Sequence, residues 1–476
     1  MRQVAPYRDR AAFALGLIAL FGVVYALVAR YALDAFPYSG DEYSLSLQAE
    51  LFAKGLLKVA APQHADWLRV DHVVIDAWVR SKYPPGGPAL LSLGARCGYA
   101  WLVTPCEGVA TLMLTWHSVR RVLGARPALT ALVVLGAAPL FIFDSASFYT
   151  HGASLLCLAI AFAALTAWSI SPRTGWLVVV GFALGATFLI RPLDAMLFGL
   201  AMVAFGSWRA LIVPAISALP FIAVNFWYQD QVFGSPFTDG YAAYGPTFTA
   251  LYGATAAAFP LSWRHVFEPT QWWFHLDLFG QMCLQWTIPG TVIAALFGAV
   301  AIDSSDAAAR MRRFSIALVA VFCVTLLALL TELDDGPHPR YLSVTLIPLA
   351  LLAANGLGPL CDAIRERFGA IVERAFVVLA ILFGLAQFGQ YLENRIPKQW
   401  TREGLYQLTA DLPRDAIVIV RAQYPSRYAR NGPFFAGVTY LSVAPETSVD
   451  EVAAAYVGRP IYVAHEGVPW TIERAR

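Results

Sequence analysis

Carboxylates that could do acid–base chemistry come directly after the first apolar segment of the chain. That segment covers residues 11–29, and the polar run YSGDEY follows at residues 38–43. Ser39 and Glu42 have the spacing of a capping box, and apolar side chains continue beyond them at helical spacing. This predicts a helix at the membrane surface with Asp41 in its first turn, where the helix dipole favours an ionised carboxylate. Such a carboxylate can accept a proton from a hydroxyl, or the acidic pair can serve only to cap the helix.

Basic residues beside prolines form two further motifs. The sequence KYPPGGP at residues 82–88 is predicted to be rigid and not helical. The sequence HPRY at residues 338–341 opens a late apolar segment. Arg340 could bind a phosphate with two parallel hydrogen bonds, or it could extend along the membrane interface. Lys82 could bind phosphate or be merely solvated.

The composition requires a membrane protein with several spans. The 476 residues are 58% hydrophobic and 14% charged, with a mean hydropathy of +0.57. A soluble domain is about half apolar and about a quarter charged. No Walker sequence and no G-x-G-x-x-G after a strand is present, which argues against cytoplasmic ATP or dinucleotide chemistry. The six cysteines lack a CxxC pair, and the histidines, which include His64, His72 and His151, lack an H-x-x-x-H spacing, so no zinc site is predicted.

Apolar segments long enough to cross a membrane number about eleven. The first lies near residues 11–29, and the second follows a short apolar helix and runs to residues 120–121. The others lie near residues 128–143, 152–170, 175–190, 193–207, 210–228, 286–302, 314–331, 341–360 and 375–391. Arginines are concentrated in the short connections that are cytoplasmic if the N-terminus is inside. The long polar loops at about 31–85 and 229–285, and the C-terminus, are then extracytoplasmic. Arg191, between two apolar segments, either marks an outer helix end or is functional.

The last part of the chain has ordinary polarity and is predicted to be a small α/β domain outside the membrane. Residues 416–420 and 460–464 are typical of buried strands. Ser448 and Glu451 have the spacing of a second capping box, which predicts a short helix between those strands. We therefore divide the chain into a transmembrane domain at 1–392 and an extracytoplasmic domain at 393–476.

In combination, the acidic pair after the first span, the Tyr-Pro-Pro sequence and the late HPRY motif resemble the GT-C superfamily of membrane glycosyltransferases. The resemblance covers roughly residues 11–360. It is nearest to the branch with the protein O-mannosyltransferases, the lipid A aminoarabinose transferases and the rhizobial galacturonosyltransferases. It implies a fold of GT-C type. The predicted fold is therefore an α-helical polytopic membrane protein of GT-C type, with the two long extracytoplasmic loops and the small C-terminal α/β domain that the residues themselves predict.

The resemblance also implies a reaction. A sugar would pass from a polyprenyl-phosphate donor to an extracytoplasmic glycan, lipid or protein acceptor, in a bacterial inner membrane and without a soluble cofactor. A divalent cation is left open, and no nucleic-acid partner is expected. Asp41 matches the position of the base, and Glu42 would position the acceptor or a metal. The lipid phosphate would be bound by Arg340, Lys82, Tyr341 and Arg191, and the substrate groove would contain Tyr83, Asp144, His338 and Tyr241.

Two other functions are compatible with the sequence. A transporter or flippase of a lipid-linked substrate would show matching halves with broken spans and intramembrane charges. Here the polar residues collect in the outer loops, which favours an enzyme. A polymerase or ligase of surface polysaccharide uses similar chemistry and has similar loops; the acidic pair favours the transferase. The aromatic residues of the second loop, among them Trp263, Trp272 and Trp273, could line a groove, but an interfacial belt is the commoner explanation.

Overall fold

The fold is largely helical. The computed structural model describes residues 7–252, 273, 276–277, 279–280, 282–302, 305–329, 340–432, 434–435, 437–467 and 469–476. Its helices are α1 (Tyr7–Leu27), α2 (Gly40–Ala53), α3 (Gly86–Ala95), α4 (Val103–Leu123), α5 (Ala125–Gly136), α6 (Pro139–Asp144), α7 (His151–Ile170), α8 (Thr174–Ile190), α9 (Pro192–Ala201), α10 (Trp208–Phe233), α11 (Gly240–Tyr252), α12 (Thr291–Val300), α13 (Asp306–Leu329), α14 (Leu346–Phe368), α15 (Ala370–Thr409) and α16 (Val449–Ala455).

Strands occur in two sheets. They are β1 (Val59–Ala60), β2 (Val73–Ile75), β3 (Trp78–Ser81), β4 (Ile417–Arg421), β5 (Thr439–Leu441), β6 (Ile461–His465) and β7 (Thr471–Arg474). The first sheet has the order β1-β3-β2, and the second has the order β5-β4-β6-β7. The strands that the sequence predicted at 416–420 and 460–464 are thereby confirmed as β4 and β6.

Apolar helices of membrane-crossing length are present among the described residues. Four segments are long and apolar enough: Ala11–Ala32, His151–Ile170, Trp208–Phe233 and Arg340–Leu357. Shorter apolar helices lie at Ala125–Gly136, Thr174–Ile190, Pro192–Phe205 and Thr291–Val300. The fold is therefore that of a polytopic membrane protein, and the number of about eleven spans stays a prediction.

Two local predictions were wrong, in both cases because of proline. The predicted span at 128–143 is interrupted, since α5 ends at Gly136 and α6 begins at Pro139. The run at 82–88 was predicted not to be helical, yet α3 starts at Gly86 and includes Pro88. Proline is tolerated in the first turn of a helix because its missing N–H would have no partner there.

The chain divides into two compact units. The first contains residues 1–34, 101–224 and 260–390, and the second contains residues 35–100, 225–259 and 391–476. The second unit thus combines most of the first predicted outer loop and the first part of the second with the C-terminal segment. The domain boundary between residues 392 and 393 stays a prediction.

The first unit is a helix assembly. Helix α7 packs against α4 and α8, and α14 packs against α5 and α12. At the crossing of α12 and α14, a Cβ atom on Gly298 or Gly356 would collide with the backbone carbonyl of Leu352 or Ala294. Small residues let membrane helices approach this closely, so these two glycines fix the crossing.

The second unit contains the C-terminal sheet. Strand β4 lies in its centre, parallel to β5 and β6, while β7 closes one edge antiparallel to β6. The sequence IVIV at the start of β4 is buried on both faces, as expected for a central parallel strand. The predicted short helix is confirmed as α16, where the Ser448 hydroxyl accepts a hydrogen bond from the Glu451 backbone N–H.

The first outer loop shares a hydrophobic core with the C-terminal sheet. Leu68, from the loop, packs in one buried cluster with Ile417, Ile419 and Ile461. The backbone N–H of Ser442, just after β5, donates to the Trp67 carbonyl at 2.7 Å. The loop residues that carry the predicted chemistry are thus built onto a folded scaffold within this unit.

Candidate active site

The first turn of α2 has the predicted capping box. The Ser39 hydroxyl accepts from the Glu42 backbone N–H at 3.1 Å, and Glu42 Oε2 accepts from the Ser39 backbone N–H at 2.9 Å. Glu42 is buried, with 1% of its surface exposed. Its carboxylate therefore holds the start of the helix. The role predicted for it, positioning an acceptor or a metal, stays a prediction.

Asp41 lies beside two residues that can interact with its carboxylate. The Tyr83 hydroxyl donates a hydrogen bond to Oδ1. The imidazole Nε2 of His72 is 3.8 Å from Oδ2. The Asp41 side chain is 15% exposed, so the carboxylate is largely shielded from water and still open to a substrate. A carboxylate oriented in this way at a helix N-terminus can act as a general base.

The hairpin of β2 and β3 places His72 and Tyr83. Val73 pairs with Ser81, which brings the residues on either side of the hairpin together. The His72 carbonyl accepts from the Lys82 backbone N–H at 3.3 Å and from the Ser44 hydroxyl of α2 at 2.6 Å. His72 itself has a φ of +64°, which a non-glycine residue adopts only when its surroundings hold it.

Sequence reasoning gave His72 no role, because no metal-ligand spacing surrounds it. The only local signal was a histidine in the same polar loop as Asp41. Strands of three and four residues give too little alternation for the hairpin to be recognised. Its proximity to Asp41 therefore comes from the pairing of β2 with β3.

Lys82 is enclosed by tyrosine rings. Its ammonium lies 5.2 Å from the ring centroid of Tyr83, 4.9 Å from that of Tyr241 and 4.8 Å from that of Tyr244. Only 9% of the lysine is exposed. Three rings at these distances favour the charged ammonium through cation–π attraction.

Helix α11 supplies two of the three rings. It begins at Gly240, where a Cβ atom would collide with the Lys82 carbonyl, so only glycine permits this approach. The structure thereby brings together Tyr241, Lys82 and Tyr83, which the sequence placed in two different loops. Their roles in substrate binding stay predictions.

The C-terminal segment holds the residues before α2. The Arg430 guanidinium donates to the backbone carbonyls of Pro37 and Tyr38, the latter at 2.7 Å. The Tyr43 hydroxyl donates to the Asn431 carbonyl. Burial raises the pKa of the Tyr43 phenol, so the group keeps its proton and remains a donor. The segment from Pro37 to Tyr43 is therefore fixed from a part of the chain almost 400 residues away.

The first unit contains the other predicted basic residues. Arg191 Nε donates to Asp194 Oδ2 at 2.9 Å, and the same oxygen accepts from the Ser154 hydroxyl at 2.8 Å. The Arg191 guanidinium carbon also lies 5.5 Å from the Tyr341 ring centroid. Arg191 is thus ion-paired with the buried Asp194, a partner that sequence reasoning missed.

Arg340 lies in the same group of side chains. Its guanidinium carbon is 4.8 Å from the ring centroid of Tyr149 and 5.5 Å from that of Tyr341. Asp144 ends α6 and is fully buried. Arg340 and Arg191 are near enough to interact with its carboxyl group. Within the first unit the structure therefore brings together the predicted residues Arg191, Arg340, Tyr341 and Asp144.

Some of the residues singled out in the sequence lie outside the part of the chain that the structure describes. Among them are His338, Trp263 and Trp272. Within the described part of the chain, no group of three or more His, Cys, Asp or Glu side chains is placed to hold a metal ion.

Comparisons with known proteins agree with this architecture. Residues 90–226 match the family model described as dolichyl-phosphate-mannose-protein mannosyltransferase. ArnT from Cupriavidus metallidurans, in its undecaprenyl phosphate complex, aligns with a TM-score of 0.59 over 94% of this chain and 93% of its own, at 15% identity. The chain has the GT-C glycosyltransferase fold. ArnT in the apo state aligns to the same extent with a TM-score of 0.57.

A second GT-C structure extends the comparison beyond bacterial proteins. The oligosaccharyltransferase of Archaeoglobus fulgidus, in a complex with zinc and sulfate, aligns with a TM-score of 0.51 at 12% identity. The alignment covers 94% of this chain and 67% of that protein. Among curated protein sequences, nothing matches the chain. The GT-C fold is therefore shared with proteins whose sequences have diverged widely.

Proposed function

We propose that this GT-C protein transfers a sugar from a polyprenyl-phosphate donor to an extracytoplasmic acceptor. The observation that carries the proposal is the Asp41 carboxylate, which sits in the first turn of α2 with the Tyr83 hydroxyl on one oxygen and His72 beside the other. The fold supports it, since ArnT was solved with undecaprenyl phosphate bound. The family model over residues 90–226 is likewise named for a lipid-phosphate sugar donor.

In this reaction an acceptor hydroxyl attacks the anomeric carbon of the donor sugar. Asp41 takes the hydroxyl proton, the new glycosidic bond forms, and the bond to the lipid phosphate breaks with its electron pair leaving on the phosphate oxygen. A single displacement inverts the anomeric configuration. Because no nucleotide sugar is available outside the membrane, the activated sugar has to arrive on a lipid carrier. A hexose and a pentose fit this chemistry equally.

Positive charge is needed where the phosphate leaves, because negative charge develops there in the transition state. We assign this role to Lys82 in the second unit and to Arg340, Arg191 and Tyr341 in the first. The Lys82 ammonium is already held next to Tyr83, whose hydroxyl contacts Asp41. The proposed base and this proposed cation therefore belong to the same unit.

The protein is proposed to lie in a bacterial inner membrane, with the N-terminus in the cytoplasm. Both long polar loops and the C-terminal segment would then be extracytoplasmic. The concentration of arginines in the short connections supports this orientation. Reaction of a membrane-impermeant label with single cysteines in the first and second outer loops of intact cells would test it.

The deciding experiment compares two carboxylates at the same helix position. Asp41 in α2 and Asp450 in α16 each come two residues after a serine N-cap, but the Asp450 side chain is 94% exposed. Purified wild type, Asp41→Asn and Asp450→Asn would be assayed with a panel of polyprenyl-phosphate sugars and a range of acceptors. We expect transfer by wild type, a loss of at least about a hundredfold in Asp41→Asn, and full activity in Asp450→Asn.

Other outcomes would select other functions. Full activity in a well-folded Asp41→Asn protein would make Asp41 a helix cap and place the base elsewhere. If wild type transfers no sugar but moves a lipid-linked sugar between vesicle leaflets, the protein is a transporter. If it joins preassembled glycan chains, it is a polymerase or ligase.

A further inference from the structure

The C-terminal sheet has a topology that creates a crevice at one edge. The chain leaves β4, adds β5 on one side of it, and then returns to add β6 on the other side. All three strands are parallel, so their carboxyl ends lie at the same edge. The connection after β4 leads to β5 and the connection after β6 leads to β7, so the chain leaves these two neighbouring strands in opposite directions along the sheet. In open α/β sheets such a switch point is where ligands bind.

A cavity of about 350 Å³ that is broadly open to solvent lies at this edge. Its wall includes Arg421 and Gln423 at the end of β4, Val443 and Pro445 after β5, and Glu466 directly after β6. The three connections thus each contribute to one cavity, and all of its lining belongs to the C-terminal segment. It is separate from the residues assigned to sugar transfer.

The two charged side chains in the cavity, Arg421 and Glu466, are hydrogen-bonded to the surrounding chain. The guanidinium of Arg421 donates to the carbonyls of Ala444, Pro445 and Thr447, the first two at 3.0 and 3.1 Å. A guanidinium has five N–H donors, so donors remain for a ligand. Arg421 therefore offers hydrogen bonds from a fixed position.

Glu466 provides the complementary acceptor. Its Oε2 accepts from the Gln423 backbone N–H at 3.0 Å, and its Oε1 accepts from the Tyr428 hydroxyl at 2.6 Å. Each carboxylate oxygen can accept two hydrogen bonds, so acceptor capacity also remains. The Gln423 side chain is exposed at the opening and adds an amide.

We infer that this cavity is a binding site for an uncharged carbohydrate. A sugar hydroxyl needs both a donor and an acceptor, which the Arg421 guanidinium and the Glu466 carboxylate supply together. The exposed ring of Pro445 provides apolar surface for the C–H face of a sugar ring. A phosphate or carboxylate ligand would be repelled by Glu466, and a cationic ligand would be repelled by Arg421.

The carbohydrate is the glycan acceptor of the transfer reaction. This part of the inference rests on the proposed function, whereas the sugar-binding site itself does not. A site in the C-terminal segment that binds acceptor residues remote from the reacting hydroxyl would raise the local concentration of acceptor without taking part in the chemistry.

Binding can be measured on the full-length protein in detergent by saturation-transfer NMR. The probes are uncharged tetrasaccharides of glucose, mannose and galactose, with a sulfated tetrasaccharide as the charged comparison. Gln423→Ala removes the amide and Gln423→Trp fills the opening, while Gln407→Ala changes an exposed glutamine on α15 away from the cavity. Thermal unfolding profiles confirm that each variant is folded.

We expect at least one neutral tetrasaccharide to bind wild type and Gln407→Ala equally. Its affinity should fall about tenfold in Gln423→Trp, equivalent to one good hydrogen-bonded contact, and less in Gln423→Ala. The inference is overturned if no neutral probe binds, if only the sulfated probe binds, or if Gln423→Trp binds as wild type does. Asp41→Asn should retain full binding.

The transfer assay separates this site from the proposed function. Binding without any transfer by wild type would contradict the transferase and leave the carbohydrate site standing. Transfer by wild type without binding of any neutral tetrasaccharide would support the transferase and overturn the site.

Discussion

Arg430 and Tyr38 are joined by a buried hydrogen bond of 2.7 Å between residues 392 positions apart in the sequence. Tyr38 immediately precedes Ser39, the N-cap of the helix that carries Asp41. The guanidinium carbon also lies 5.8 Å from the ring centroid of Phe36 and 5.5 Å from that of Tyr43, which flank that N-cap in the sequence. The C-terminal segment therefore sets where α2 begins, and with it the position of the proposed base.

Replacement of Arg430 by methionine should displace this helix start. The variant loses charge-assisted hydrogen bonds in a buried position, which costs about 2–4 kcal/mol of stability. Because Asp41 would shift, kcat should fall more than the donor KM rises. Arg430→Lys keeps one charged donor and should recover part of kcat. Steady-state kinetics and thermal unfolding measure both effects.

The control for Arg430 is Arg474→Met, which changes an exposed arginine in β7. It should leave kcat and the unfolding temperature unchanged. If Arg430→Met loses stability while kcat at a permissive temperature stays at the wild-type value, the arginine stabilises the C-terminal segment and does not position the base.

Tyr83→Phe tests the hydrogen bond to Asp41. The ring that packs near Lys82 and His72 is kept, and only the hydroxyl that donates to Oδ1 is lost. A hydrogen bond to a charged group contributes about 1.5–3 kcal/mol, so kcat should fall about tenfold to a hundredfold with little change in donor KM. Tyr462→Phe, in β6, serves as the matched control. An unchanged kcat would remove Tyr83 from the list of residues that orient the base.

Lys82→Gln tests whether the Lys82 ammonium, which three tyrosine rings surround, binds the lipid phosphate. The donor KM should rise about tenfold or more, because one charged contact to phosphate is lost. Lys82→Arg keeps the charge and should lie between wild type and the glutamine variant. Lys54→Gln is the matched control, since Lys54 also lies over an aromatic ring, that of Phe434, but is exposed. Equal donor KM values in all four proteins would show that Lys82 only anchors α11.

A double substitution separates the contribution of Arg191 to stability from its contribution to activity. Arg191→Gln leaves the buried Asp194 carboxylate without its ion pair, which costs about 3–5 kcal/mol. Arg191→Gln combined with Asp194→Asn removes both charges and should restore most of the stability. We expect activity to remain low in the double variant, because the proposed contact of Arg191 with the donor phosphate is still missing. Recovery of activity along with stability would make Arg191 purely structural.

Local features of this protein were predictable from the sequence. The Ser39–Glu42 capping box, the helix after Ser448 and the strands β4 and β6 were all predicted at their observed places. Each depends on contacts between residues three apart or on a short buried run, which a sequence displays directly. The membrane class follows similarly from composition, because a soluble core cannot accommodate so many apolar residues.

The arrangement of the candidate site was decided by tertiary structure. His72 reaches Asp41 through the pairing of two very short strands, Tyr241 reaches Lys82 because α11 approaches over Gly240, and Arg430 reaches Tyr38 from the other end of the chain. None of these contacts can be recognised from a periodic pattern in the sequence. Each joins residues that are distant in sequence, and each depends on how separate elements pack. The sequence determined that a carboxylate would stand at a helix N-terminus outside the apolar spans. The folded chain decided which side chains surround it.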